Sequence, residues 1–454
     1  MNKTSSPSKM SKVSKVALAV SASLLCLSSA AFADDKDRIL ALEDRLDALE
    51  VELIEAKDSA SKADRVKFSK SSPSPEFISS DGRSTMEFKA RIQMDYVSGN
   101  EMYTGKNLNY SESFNDVSLR RIRFGLEGYF SNVWEYALEF DFDSVSDVEI
   151  KDANITYKGW DNSQLTLGFQ KIAFGMEATG SSAQLAFLER ASTDTFSPER
   201  AIGAQWRYVG SNYNVMLGYG LNAGVIEDDD DPSFEQDILN ARVTFAPINN
   251  SEHLLHLGTS ALNIKNNDNI QGARYRARPS TSASGRIIDT DDFDAESLKH
   301  YGLEFAYQHR NFLLQSEYVM AKADQVDDPE ISINAYYVQA VYTLTGESWQ
   351  YNGKKGTFNT VKPGNAVSAG GYGAWELAFR IDQADFDDAS ADIYGGKKTD
   401  YVLGLNWYLE DNLKAQFNYV HTTVDYEESY EDNDGNDMFD QDANIFQARL
   451  QLSF

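Results

Sequence analysis

Arg120, Arg121 and Arg123 crowd into four residues, and Arg274, Arg276, Arg278 and Arg286 into thirteen, in a chain whose formal charge is −28. A guanidinium presents forked donors that match phosphate or carboxylate. A row of them along a narrow water path attracts anions, because screening there is weaker than in bulk water. If residues alternate sides along an extended segment, Ile122, Phe124 and Leu126 share one face and Arg121 and Arg123 the other. Lys89 and Arg91 on the preceding segment follow the same alternation. The opposing reading is that these groups pair across strands with Glu127, Glu139, Asp141 and Asp143. The second cluster, in segment 264–296, is either an inward-folded arginine group or a surface loop balancing Asp289, Asp291, Asp292 and Asp294. In segment 171–200, the hydroxyls of Ser181 and Ser182 suit hydrogen bonding to a permeating ion. The alternative there is a loop braced by its own Glu189 and Arg190.

Other chemistries find little support. The five histidines, His253, His256, His300, His309 and His421, sit in no motif with a serine or an acid that builds a catalytic triad. An enzyme is therefore not expected, and neither is a cofactor. The acidic stretches 221–235 and 426–440 lack the ordered spacing of a calcium-binding hand, so no metal is expected. Strong net acidity argues against nucleic acid as a partner. Cys26 is the one cysteine and lies in an export signal, which leaves no thiol chemistry afterwards.

The elements that must position the arginines are strands. From Met86 onward polarity alternates: Phe88, Ala90, Ile92, Met94 and Tyr96 against Lys89, Arg91, Gln93 and Asp95. Trp134, Tyr136, Leu138, Phe140 and Phe142 stand against Glu135, Glu139, Asp141 and Asp143. A face this charged must line water, so the apolar face must meet something apolar outside. Mean hydropathy is only −0.47 although aromatics reach 12%, a combination that arises when every second residue faces lipid. Sixteen such segments span 86–454, among them 253–263, 297–308, 412–425 and 441–454. Short turns (Ser131-Asn132, Asp161-Asn162, Gly210-Ser211, His309-Arg310, Asp411-Asn412) alternate with long loops at 98–116, 221–235, 264–296 and 426–440. That asymmetry, and an aromatic-ended last segment closing on Phe454, predict an all-β fold: a 16-stranded antiparallel transmembrane β-barrel of the bacterial outer membrane. Its lipid-facing side implies outer-membrane lipid and lipopolysaccharide as surroundings. Segment 345–371 breaks the rule, being long where a short turn belongs.

Ahead of the barrel, residues 1–33 read as a signal peptide. Lys3, Lys9, Lys12 and Lys15 form its basic region, Val16 to Leu27 its apolar core, and Ala31-Phe32-Ala33 its cleavage site. Removing those four Lys leaves the mature chain near −32. Residues 34–66 read as a helix whose Ile39, Leu42, Leu46, Leu49, Leu53, Ala56, Ala60 and Ala63 form an unbroken heptad seam. Two readings remain open: a short periplasmic coiled coil joining protomers, or one amphipathic helix lying on the barrel. A linker, 67–85, follows, rich in Ser and Pro.

The stretches Phe88-Lys-Ala-Arg-Ile-Gln-Met-Asp-Tyr96, Arg120-Arg121, Ile155-Thr-Tyr-Lys-Gly159, Phe174-Gly-Met-Glu177 with Ser181-Ser182 and Leu188-Glu-Arg190, Tyr342-Thr-Leu-Thr-Gly-Glu347, Gly373-Ala-Trp-Glu-Leu377 and Leu403-Gly-Leu-Asn-Trp-Tyr408 occur in an order and spacing that resembles the phosphate-selective porin O/P family over 86–454. The resemblance implies a homotrimer of 16-stranded barrels that passes anions to a narrow site formed by loops 3 and 5. By position it makes Arg91, Arg120, Arg121, Arg276 and Arg278 the basic ladder and cluster, with Ser181 and Ser182 on the inward loop. The chain departs from the phosphate specialists at Ala178, where they carry Lys after the Phe-Gly-x-Glu motif, at Glu135, where they are basic, and at Lys151, where they are acidic. The fold carries over; strict phosphate selectivity does not. The function expected is passive diffusion of small hydrophilic solutes, favouring anions such as phosphate. The alternatives are a general or cation-tolerant porin, or a structural or adhesive barrel of the envelope.

Overall fold

The computed structural model describes residues 35–61, 64–68, 73–100, 102–104, 109–111, 113–142, 148–221, 236–431 and 437–454. The expected signal peptide, the seam residue Ala63 and most of the acidic stretch 221–235 lie outside them. The chain divides into two units, up to Asp64 and from Arg65 to Phe454. Among its described residues the first holds the helix α1 (Asp35–Ser61). No described helix is long and apolar enough to cross a membrane.

The second unit is a closed antiparallel sheet. Its strands are β1 (Thr85–Gly99), β2 (Phe114–Phe130), β3 (Trp134–Asp141), β4 (Glu149–Trp160), β5 (Ser163–Lys171), β6 (Arg200–Val209), β7 (Tyr213–Leu221), β8 (Asp237–Asn249), β9 (His253–Ala273), β10 (Phe293–His309), β11 (Phe312–Gln325), β12 (Ile331–Thr343), β13 (Ala374–Asp388), β14 (Ile393–Tyr408), β15 (Leu413–Glu431) and β16 (Asp437–Ser453). Each pairs with the next, and β16 returns to β1 with Ser453 opposite Arg91 and Ile445 opposite Gly99. Closure leaves the sixteen described barrel strands with no unpaired edge. Phe454 completes it, its N–H donating to the Ala90 carbonyl and its carbonyl accepting from the Ala90 N–H, both at 3.0 Å.

Polarity is inverted relative to a water-soluble fold. On β1, Ile92 and Met94 are 44% and 47% exposed while Gln93 and Asp95 are at 0% and 2%. Aromatic rings cluster at the short-turn end: Trp134 on Tyr157 at 4.8 Å, Tyr157 on Trp160 at 4.9 Å, and Trp375 stacked on Trp407 at 5.1 Å. Such a girdle belongs at the boundary of lipid and water. Ser131 and Asn132 both have positive φ in the three-residue connection, 131–133, between the paired Phe130 and Trp134.

Strands at the loop end run further than alternation indicated. β9 extends to Ala273 and β15 to Glu431, so the loops shrink. On β12 the reason is visible. Its loop-end residues place Ser332 outward and Ile331 and Ile333 inward, whereas nearer the turns Val338 faces out and Gln339 in. Beyond the apolar band the outer face meets water and the inner face packs on loops, so the pattern reverses. The expected linker 67–85 also carries structure. Strands Arg65–Phe68 and Pro75–Ile78 pair with each other, and the second pairs with the start of β1.

Candidate functional site: a loop-constricted basic lumen

The arginine ladder depends on an irregularity. Between β1 and β2 the register slips, Gln93 facing Arg121 and Met94 facing Leu119, so Arg120 is the extra residue of a β-bulge. Plain alternation would send Arg120 outward beside Ile122; the bulge turns Arg120 and Arg121 inward together. Arg120 grips Glu189 through two bonds of 3.0 and 3.3 Å, and Arg121 reaches the same carboxylate at 3.5 Å and Gln93 at 2.9 Å. Arg449 on β16 adds a third guanidinium to Glu189 at 2.9 Å while holding Asp95. Arg123 pairs with Asp141 and Glu139 across the strands, and Lys89 with Glu127.

Glu189 belongs to the loop between β5 and β6, which lies across the lumen. Strand side chains hold its backbone. Glu317 accepts from the Met176 and Glu177 N–H groups, and Asp382 from the Ser192 N–H and hydroxyl. Asn406 donates to the Ala186 carbonyl and Lys414 to that of Leu185. Arg380 binds Glu177 at 2.5 Å and lies 4.4 Å over the Phe187 ring. With these bonds on β11 and β13–β16, the loop leans on that wall and leaves the passage on the side of β1–β6. Ser181 and Ser182 face the passage, where they accept from Arg91 at 3.0 and 2.9 Å. Burial pushes the Glu189 carboxyl up, yet Arg120, Arg121 and Arg449 outweigh it and hold Glu189 well below the usual carboxylate range. Against the same upward push, Arg190 and Arg200 hold Glu199 down to about 2.

The loop between β9 and β10, residues 274–292, also turns inward. Tyr275, Ile287 and Ile288 pack among Phe196, Phe293 and Phe386. Its far side reaches β14, where Asp400 accepts from the Ser280 N–H and hydroxyl at 2.8 and 2.7 Å. The structure sorts its arginines. Arg274 is tied to Asp289 and Asp292 and braces the loop, and Arg276 lies in a two-residue strand opposite Asp289. Arg278 faces the passage. Burial first, then the neighbouring Arg278 and Arg276, push the Arg286 guanidinium down to about 10.

A third segment enters from the short-turn end. Residues 344–373 fold into the barrel, where Arg242 donates to the Lys355 and Gly356 carbonyls at 2.6 and 2.8 Å and the Thr360 N–H donates to Gln184 at 2.5 Å. Trp349, Phe358 and Val361 pack with Phe187 and Tyr408.

Two cavities flank the inward loops. One, about 440 Å³, opens toward the short turns and is lined by Lys89, Arg91, Arg121, Arg123, Ser181, Ser182 and Lys355, among others. The other, about 460 Å³, opens toward the loops and is lined by Arg120, Glu189, Arg278, Ser280 and Arg286. Arg190 and Glu199 line both and mark the junction. Arg274 and Arg276 line neither. Sequence reading missed Arg242, Arg380, Arg449 and Lys398, all inward and buried. Their signal was present, a single basic residue at an inward position of an alternating strand, but no clustering marked it. At Ala178, Lys171 donates to the Ala178 and Gly180 carbonyls at 2.7 Å, so an ammonium stands there although residue 178 carries none. Glu135 is neutralised by Lys158, and Lys151 pairs with Glu149 at 2.6 Å.

A closed 16-stranded barrel, apolar outside, charged inside and narrowed by inward loops, is a porin of the bacterial outer membrane. The family model described as phosphate-selective porin O and P matches residues 86–454, and the chain belongs to that family. Porin O of Pseudomonas aeruginosa is 29% identical over 416 residues, spanning 84% of this chain and 90% of that protein. An uncharacterized protein of Caulobacter vibrioides is 31% identical over 404 residues, spanning 84% of this chain and 76% of its own. Among solved structures, an anion-selective porin from Comamonas acidovorans shares the fold with a TM-score of 0.52 at 11% identity, covering 82% of this chain and all of that one. The trimer form of Vibrio cholerae OmpT does so at 0.51 and 13%, covering 82% and 99%.

Proposed function

We propose that the barrel is a passive pore that favours small anions, phosphate among them, and that Lys89, Arg91, Arg120, Arg121, Arg123 and Arg278 supply the preference, with Ser181 and Ser182 beside them. One observation carries this. The cavity toward the short turns is lined by eight basic residues (Lys89, Arg91, Arg121, Arg123, Lys171, Arg190, Arg200, Lys355) against three acids (Glu139, Asp152, Glu199), in a chain of net charge −28. A positive, low-dielectric passage concentrates anions and repels cations. The anion-selective porin of Comamonas acidovorans and the phosphate-selective porin family agree with that preference. The roles of Arg274 and Arg276 are to shape the 274–292 loop. The chain acts as a homotrimer in outer-membrane lipid and lipopolysaccharide, exported by its cleaved signal; the trimer form of the Vibrio porin supports the oligomer. The test is the reversal potential of purified protein in a planar bilayer under a KCl gradient, repeated with potassium phosphate. The expected sign is anion-selective in both salts. Current carried mainly by K⁺ overturns the proposal.

A further inference from the structure

The helix α1 carries an exposed apolar seam. Leu42, Leu46, Leu49 and Leu53 recur at alternating spacings of four and three residues and are 43–61% exposed. Seven residues make two turns, so these side chains form one stripe. The charges beside the stripe decide what covers it. With Leu46 and Leu53 at a and Leu42 and Leu49 at d, the sequence places Arg38, Arg45 and Glu52 at g and Glu43, Glu50 and Lys57 at e. In a parallel, in-register coiled coil each g residue meets the e residue five positions further along the neighbouring copy. The three meetings are Arg38 with Glu43, Arg45 with Glu50, and Glu52 with Lys57, every one of opposite sign.

Within a single helix these charges have little to do. Helical ion pairs form between residues three or four apart. By sequence, Glu43, Arg45, Glu50, Glu52 and Lys57 have no opposite charge at either spacing. A lone helix lying on a surface explains neither the choice of sign nor its change between Arg45 and Glu52. An antiparallel pair centred between Leu46 and Leu49 brings Arg45 to Arg45 and Glu50 to Glu50, which repel, beside Arg38–Glu52 and Glu43–Lys57 meetings that attract, so only the parallel register makes every meeting one of opposite sign.

We infer that α1 is a parallel, in-register homo-oligomerisation element whose occupant is the same helix of other copies, with polarity set by the Arg45–Glu50 contact and the charge pairs flanking it. The inference stands independently of which ions the pore passes.

Cross-linking of the full chain in outer membranes, in a Cys26→Ser background, tests it. Leu49→Cys is expected to form a disulfide between copies in most chains under mild oxidation. Co-expressed Leu42→Cys and Leu53→Cys chains are expected to give no mixed disulfide, since only an antiparallel pair brings 42 to 53. Arg45→Glu is expected to lower the Leu49→Cys yield several-fold, and Arg45→Glu with Glu50→Arg to restore it. An uncross-linked Leu49→Cys chain with normal conductance, a strong 42–53 product, or a yield indifferent to Arg45→Glu overturns the inference. Conductance of the same membranes reports on the pore separately, so failure of one reading is distinguishable from failure of the other.

Discussion

Glu189→Gln removes one negative charge from the centre of the passage without changing side-chain shape. Glu189 lies within 3.5 Å of Arg120, Arg121 and Arg449 and lines the outer cavity. The three guanidiniums then lose their common counter-charge. The effect on a passing ion follows from Coulomb's law. At about 6 Å, and with an effective dielectric of about 40, between surface and bulk values, one unit charge changes a monovalent ion's energy by ~1.4 kcal/mol. That is about tenfold in local occupancy, upward for anions and downward for cations. Ions crossing elsewhere in the lumen dilute this, so the anion-to-cation permeability ratio is expected to rise by about 3- to 10-fold. The assay is reversal potential in a KCl gradient kept near 0.1 M, because the Debye length there is still about 10 Å. A ratio unchanged or reduced refutes the reasoning. If the ratio falls toward unity while conductance rises, Glu189 acts as a tie for the loop and not as a charge facing the path.

Three further outcomes are expected. Arg278→Gln lowers the permeability ratio about twofold or more, whereas Arg276→Gln leaves it unchanged, because only Arg278 lines a cavity; equal effects in the same bilayer assay refute the sorting of that loop. The contribution of Glu189 and Glu199 to selectivity stays constant from pH 7 to about 4. Both Glu189 and Glu199 are depressed when folded, so their contribution is full above the unfolded value of about 4.3 and fades only as pH falls through the folded value, about 2 for Glu199; a selectivity change centred near pH 5 contradicts this. Arg242→Met breaks a fully buried pair with Glu304 and the two bonds to the 344–373 segment. Among the described residues Glu304 then keeps only His256, 3.1 Å away, as a partner; breaking a buried pair costs at most about 3–5 kcal/mol, so thermal unfolding shifts down and trypsin gains access at Lys354 and Lys355; a segment as protease-resistant as before shows that other contacts suffice.

The fold was legible because lipid and water on opposite faces impose a strict two-residue period, and β1 and β3 keep it. Legibility ended wherever a third partner replaced water inside. Ile331, Ile333, Ala321 and Ala323 face inward yet are apolar, because inserted loops cover them. Read as a period, those stretches look like the end of a strand. The candidate site was legible in part for the same reason. Arg91, Arg121 and Arg123 follow the alternation, while Arg120 points inward only through a bulge that no periodicity reveals. Arg274 and Arg278 look equivalent in sequence, and only the carboxylates of Asp289 and Asp292 separate a brace from a lining group.

That separation explains how so acidic a chain sustains a basic passage. Acids facing the lumen are largely consumed. Asp95, Glu139 and Asp141 each meet an arginine from a neighbouring strand, Glu177 meets Arg380, and Glu304 meets Arg242. Arginine is suited to both tasks, since its five donors satisfy a carboxylate and still leave N–H groups for another acceptor. Arg91 shows the other arrangement: its fork is spent on the neutral hydroxyls of Ser181 and Ser182, so its charge is positioned without being cancelled. Lys171 is treated likewise, held by the carbonyls of Ala178 and Gly180. Fixing a cation through neutral oxygens keeps its field in the path, and this choice of partner adds to the excess of basic over acidic lining residues in giving the passage its sign.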